Sequence, residues 1–293
     1  MAIKAGQLKE RADYQAYILE MLEKGNGYQV RPSTAYDPGY GMDVELLFSF
    51  LQATQPDALA RLEKLYGGKT RQTILNYINN EVNKKSRSLL DVLKHGVEFD
   101  NGISLTFMYR KPATTFNPKA EALYQQNVLS VMEEVWHKEG ERIDLVIFLN
   151  GIAIFTFELK CNTSGQNYED AIRQYKFERD YKTRLLKFKA GCLAHFAMDL
   201  NEVYMCTNLK GKSSFFLPFN KGCGVGIHSG KGNPHNENGI NVSYMWEDIL
   251  KKDTVLYLID KIIFLQKETK KDPDTGKRVT KETLIFPRYH QFN

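Results

Sequence analysis

The residues best suited to chemistry lie in one stretch, Arg142–Cys161, which reads RIDLVIFLNGIAIFTFELKC. Two apolar runs flank Asn150-Gly151, and Asn-Gly between such runs is a strong signal for a tight β-hairpin. The first run, Ile143–Leu149, is broken only by Asp144; the second, Ile152–Leu159, only by Thr156 and Glu158, with Lys160 next. Runs apolar at both parities suit strands covered on both faces. Buried charge is costly unless it is paired or binds a metal. Asp144 and Glu158 converging on such a hairpin would make a site for a hard cation such as Mg²⁺. Lys160 shares a face with Glu158 and would hold the attacking water or the developing phosphate charge. That is the chemistry of metal-assisted phosphodiester hydrolysis. A buried structural Glu158–Lys160 ion pair is the plain alternative. The same acid–any–lysine spacing recurs at Asp180-Tyr181-Lys182 and Glu268-Thr269-Lys270, so the hairpin rather than the tripeptide carries the reading.

The hairpin has to satisfy a geometric condition. A regular two-residue turn pairs Leu149 with Ile152 and sets Asp144 opposite Phe157, leaving Glu158 and Lys160 on the other face. The spacing therefore predicts a three-residue loop, or a bulge between Asp144 and Glu158.

The remaining elements must hold this hairpin. Helical spacing is expected over Gln7–Glu23, Asp43–Gln55, Asp57–Tyr66 (capped by Asp57), Thr70–Ser86 and Ser88–His95. A second hairpin is expected at 97–110, with Asp100-Asn101-Gly102 at its turn, and a strand at Asn127–Trp136. Asn167 is a candidate N-cap for a helix Tyr168–Lys187 carrying Arg173, Gln174, Tyr175, Lys176, Arg179, Lys182, Arg184 and Lys187. Such a helix could lie along a phosphate backbone or be an ordinary solvated face. Leu193–Met198 and Glu202–Asn208 read as strands that extend the sheet, part of it parallel. The glycine-rich loop Gly222–Gly232 fails as a phosphate loop, because Val225 stands five before Gly230 and Gly232 follows Lys231. Trp246–Leu265 reads as a helix and Lys267–Lys281 as an exposed linker or hairpin turn.

The 293 residues suffice for one large domain or two small ones, and a hydrophobic content of 42% supports a sizeable core. The net charge of +5 permits a nucleic-acid partner without demanding one. There is no run of 18 apolar residues and no apolar signal core at the N-terminus, so a cytoplasmic protein without membrane association is expected. Cys161, Cys192, Cys206 and Cys223 have no paired spacing and are expected to be reduced, mostly buried thiols. Cys223 with His228 and His235 is not expected to bind metal.

Taken together, these stretches resemble the N-terminal endonuclease region of the R (restriction and motor) subunit of type I restriction–modification enzymes. The resemblance runs over nearly the whole chain: Tyr40–Pro56 with its LQATQP tail, Arg142–Lys160 as the most specific stretch, AIRQYKFERD (Ala171–Asp180), HFAMDLNEVYMCTNLKG (His195–Gly211), FLPFNKG (Phe216–Gly222) and IFPRYHQ (Ile285–Gln291). It implies an α/β nuclease of the PD-(D/E)xK class, with a central mixed β-sheet flanked by helices and an N-terminal helical extension. The implied division is an endonuclease domain at 1–265 (helical to about 95, catalytic sheet at about 96–220) and a linker at 266–293 leading to a helicase-like motor, which alone would use ATP.

Carried over residue by residue, the resemblance implies Asp144 and Glu158 as metal ligands with the carbonyl of Leu159, Lys160 as catalytic lysine, Gln174 near the active site, and Arg173, Tyr175 and Arg179 as DNA contacts. It also implies Mg²⁺ as cofactor, and as partners double-stranded DNA and the methyltransferase and specificity subunits. Three positions depart from the family pattern. Ala171 stands four before Tyr175 where relatives carry glutamine, Gln15 stands where relatives carry a first-helix glutamate (Glu20 lies further on), and Ile143 precedes Asp144 where the class name has proline. Two other readings remain open: a nuclease-derived docking module for partner subunits, and a nuclease of the same fold acting on RNA or branched DNA.

Overall fold

The protein is described by a computed structural model covering residues 4–8, 11–114, 116–162, 165–223, 232–271, 276 and 278–291. Helix α1 (Arg11–Glu20) continues as a wider π-helical turn, Met21–Gly25. Short strands β1 (Gln29–Val30), β2 (Tyr36–Asp37) and β3 (Met42–Asp43) lead to α2 (Val44–Thr54). Asp43 caps α2, its side chain accepting from the Leu46 N–H. Then come α3 (Pro56–Tyr66), α4 (Thr70–Asn83) and α5 (Leu89–His95), the last capped by Ser88. Helix α3 begins one residue before the sequence suggests. Pro56 takes the first helical position, Gln55 the cap and Asp57 the first turn, as proline's missing N–H allows.

Strands β4 (Val97–Glu98) and β5 (Ser104–Leu105) form the expected second hairpin as a separate two-stranded ladder. After α6 (Pro118–Gln125) comes the central meander: β6 (Leu129–Lys138), β7 (Glu141–Leu149) and β8 (Ile152–Leu159). Helix α7 (Tyr168–Phe177) crosses over to β9 (Ala194–Met198), followed by β10 (Val203–Cys206) and β11 (Leu217–Pro218). The main sheet runs β1-β6-β7-β8-β9-β10-β11, with β3 joined to β8 through Met42–Ile152. Its β1–β6 and β8–β9 pairs are parallel and the others antiparallel. The chain is thus a mixed α/β protein with a central mixed sheet flanked by helices.

One expectation fails toward the C-terminus. Trp246–Leu265 is not one helix but π-helical Met245–Ile249, α8 (Lys252–Tyr257) and π-helical Leu258–Ile262. Lys267–Lys281, read as an exposed linker or hairpin turn, belongs to an antiparallel ribbon of β12 (Phe264–Lys271) and β13 (Arg278–Ile285), as the second alternative has it. Its side chains are charged and mostly exposed, which resembles a linker in composition, yet cross-strand pairs such as Lys267–Glu282 (3.3 Å) and Thr269–Thr280 (3.0 Å) knit it. The ribbon is also tied to the body. Thr207 donates to the Leu284 carbonyl, and Phe286 packs edge-on against Phe155, Phe196 and Phe219. Much of the glycine-rich loop (224–231), with His228, lies outside the described residues.

Candidate active site

The Asn150-Gly151 turn is a two-residue one, pairing Leu149 with Ile152. Both central residues have positive φ, 51° and 84°, as a type I′ turn requires. The turn is buried. Asn150 accepts from the Val128 N–H and donates to the Phe107 carbonyl and Asn127, so its amide also serves the backbone of two neighbouring segments.

The condition posed by the sequence is met by a bulge. Ile147 pairs with Phe155 but Phe148 with Ala153, so Ile154 is the extra residue on β8. Before it, Ile152 and Ile154 face the larger core; after it, Phe155, Phe157 and Leu159 do. Thr156, Glu158 and Lys160 are thereby turned to the opposite face, where Val146, Phe148, Ala153 and Tyr175 pack. With Leu145 paired to Phe157, the register brings Asp144 beside Glu158.

Both acids are fully buried, and Lys160 is only 4% exposed. Asp144 Oδ2 accepts from the Leu159 N–H at 2.8 Å, and its Oδ1 from Arg11 at 2.5 Å. Arg11 also reaches Glu134 at 3.1 Å. Glu134 sits on β6 between the pairs Glu133–Leu145 and Val135–Ile143, with a left-handed φ of 52° and a second ion pair to Arg142. Glu158 Oε1 accepts from Arg179 Nε at 2.7 Å, while its Oε2 is buried with no hydrogen-bond partner among the described residues. Burial, and then the negative field of Asp144, push the Glu158 carboxyl up to about 8 against the pull of Arg179 and Lys160.

An unpartnered carboxylate oxygen beside a second carboxylate is a pair of hard oxygen donors, and it fits a hard cation. Among the described residues no group of three or more His, Cys, Asp or Glu gathers as a metal site. A cation here would rest on the two carboxylates and on main-chain oxygens such as that of Leu159. Lys160 makes no ion pair with Glu158 or any other described carboxylate, so the plain structural-pair alternative does not describe it. Cys161, Cys192 and Cys206 are buried and Cys223 is exposed, as their spacing suggested.

The helix expectations need correction. Asn167 caps α7 through a capping box with Asp170, but the helix ends at Phe177. Beyond it the Asp180 N–H is taken by Glu141 Oε2 at 2.6 Å, which anchors the chain to the β6–β7 hairpin. Arg184 bonds Asn79 of α4 and the Ala190 carbonyl, and Lys187 bonds Asn83. Tyr175 is not a DNA contact: it is fully buried, its hydroxyl 2.9 Å from Thr156 Oγ1, which in turn lies 2.8 Å from His195 Nδ1. The imidazole is pushed by burial to about 3 and is neutral. Arg179, 10% exposed, is engaged by Glu158 rather than open to a phosphate. Arg173 is exposed. Gln174 has a buried, unpartnered amide oxygen and no bond to either acid.

On the first helix, buried Gln15 bonds Glu133, and exposed Glu20 pairs with Lys24. The residue of α1 that reaches the acids is Arg11, which sequence reasoning missed. The contact spans 133 positions, and no local pattern marks it.

Residues 7–214 match the model of the family described as type I restriction enzyme R protein N terminus (HSDR_N). No curated protein matches the chain.

Proposed function

The chain belongs to the family of type I restriction enzyme R protein N termini, and on that premise we propose that it is a PD-(D/E)xK nuclease domain cutting double-stranded DNA with Mg²⁺. The observation that carries the reading is the bulged hairpin, which turns Asp144, Glu158 and Lys160 to one face and leaves a buried glutamate oxygen without a partner. Asp144 and Glu158 would hold the cation, with the Leu159 carbonyl as a further oxygen ligand. Bound Mg²⁺ supplies a Lewis acid for the phosphate and a more acidic water. Lys160 is uncommitted to any described carboxylate, and its ammonium is free to stabilise the charge that grows on the phosphate oxygens. Arg179 balances the charge of Glu158, and Arg11 that of Asp144; the second pair must open where a cation takes the same oxygen. In the wider assembly, we read cleavage as independent of sequence and following ATP-driven translocation by the R subunit's motor. Methyltransferase and specificity subunits would supply recognition, in the cytoplasm.

The test pairs two readouts. Asp144→Ala, Glu158→Ala and Lys160→Ala should each lower DNA cleavage by a factor of about 10² or more. Mg²⁺ should raise the melting temperature of the wild type and of Lys160→Ala, but not of the two carboxylate variants. Native cleavage by any of the three would remove that residue from the mechanism.

A further inference from the structure

A groove of about 540 Å³ lies where the C-terminal end of α4, the loop before β9 and the β12–β13 ribbon meet. Lys84, Lys85, Lys187, Lys189 and Lys267 line it against the single carboxylate of Glu282, a net of +4 where the whole chain carries +5. Glu81 and Arg87, just outside, pair with each other and with Lys84 and leave that balance unchanged. Glu282 is shared between Lys189 (2.7 Å) and Lys267 (3.3 Å). Lys187 meets only the neutral Asn83 at 2.7 Å, and the Lys85 ammonium has no carboxylate partner among the described residues. A concentration of like charge on a concave surface raises the local density of an anion.

We propose that this groove binds the phosphate backbone of duplex DNA outside the cleavage site. The inference rests on the reading of the chain as a DNA-cleaving domain. Among the described residues the lining contains ammonium groups and no guanidinium, and lysine acts on phosphate as a point charge. Among the described residues the only aromatic ring on the wall is half-buried Phe188, which gives unpaired bases little on which to stack. One chain segment links it to the site. The chain that begins at Arg179, on Glu158, runs to Lys187 and Lys189 and is clamped to α4 by Arg184–Asn79 (3.2 Å) and Lys187–Asn83.

The test is the salt dependence of binding to a short duplex of random sequence, in chelator so that nothing is cut. It compares the wild type, the triple variant Lys85→Gln/Lys187→Gln/Lys267→Gln and the corresponding triple arginine variant, all with matched melting curves. Each ammonium lost should flatten the slope of log affinity against log salt by about 0.9, so the glutamine variant should be shallower by roughly 2.7 and the arginine variant unchanged. An unchanged slope in the glutamine variant overturns the proposal. So does loss of polyglutamate binding at constant DNA slope, which would make the groove a site for an acidic protein. A wild type that binds no duplex at low salt, yet is stabilised by Mg²⁺ through Asp144 and Glu158, overturns the groove alone; failure of both readouts overturns the nuclease reading as well.

Discussion

Glu158 gives the site a pH signature opposite in sign to that of an ordinary salt-bridged carboxylate. Its carboxyl titrates near 8 in the folded chain, against an ordinary value of 4.5, so the folded state holds a proton that the unfolded state has released. That proton contributes stability in full below about 4.5, and the contribution is lost as pH rises through about 8. In chelator, the melting temperature should therefore fall between these limits, and the fall should be absent in Glu158→Gln. A wild-type profile as flat as the variant's would mean that the carboxyl is already ionised at low pH. With Mg²⁺ present the same carboxylate must deprotonate to bind, so stabilisation by the cation should grow as pH rises through this window.

At the scale of elements, the decisive feature is one extra residue. Deleting Ile154 would restore a regular ladder and drive Thr156, Glu158 and Lys160 into the larger core, since a one-residue slip exchanges the faces of a strand. The deletion should abolish the cooperative unfolding transition in denaturant, whereas Ile154→Val, which leaves the count intact, should cost only about 0.5–1.5 kcal/mol. A deletion variant that unfolds like the wild type would show that the bulge does not set the faces. The need for an irregularity was legible, because Asn-Gly fixes the turn and the acids must share a face; its position was not, because both strands are apolar at every neighbouring position. Strands β6 to β10 and the cap Asn167 were legible from apolar runs and side-chain type, whereas the two-residue strands β1, β2, β3 and β11 were not, and Ser88, read as the first residue of a helix, is its cap. The end of α7 was not: it is set by Glu141, 39 positions before Asp180. Tyr175 reads as an exposed contact on a basic helix, and only the fold reveals that its hydroxyl meets Thr156, which in turn meets His195.

For the whole molecule, the C-terminal ribbon is part of the body rather than an appendage. Phe286 is 7% exposed and its ring lies within about 6 Å of Phe155, Phe196 and Phe219, the first of them on β8, the strand that carries Glu158. Phe286→Ala should cost about 3–5 kcal/mol, measurable by denaturant titration; a cost below 1 kcal/mol would mean that the ribbon is only loosely docked. Composition misleads at this scale. The stretch Lys267–Lys281 is polar enough to pass for a linker, and what holds it is a ladder plus a few apolar anchors beyond its end.

The bulged hairpin also fixes an order in time. Hairpins close in roughly 1–10 μs, and this one needs only its own strands to bring Asp144 and Glu158 together. Their counter-charges come from elsewhere: Arg11 lies 133 positions before Asp144, and Arg179 lies 21 after Glu158, beyond the crossover helix. The acids should therefore meet before either guanidinium arrives. Pulse-labelled hydrogen exchange should find the amides of Leu145–Phe157 protected ahead of those of Ala194–Met198; the reverse order would show that the sheet assembles first and forces the hairpin shut.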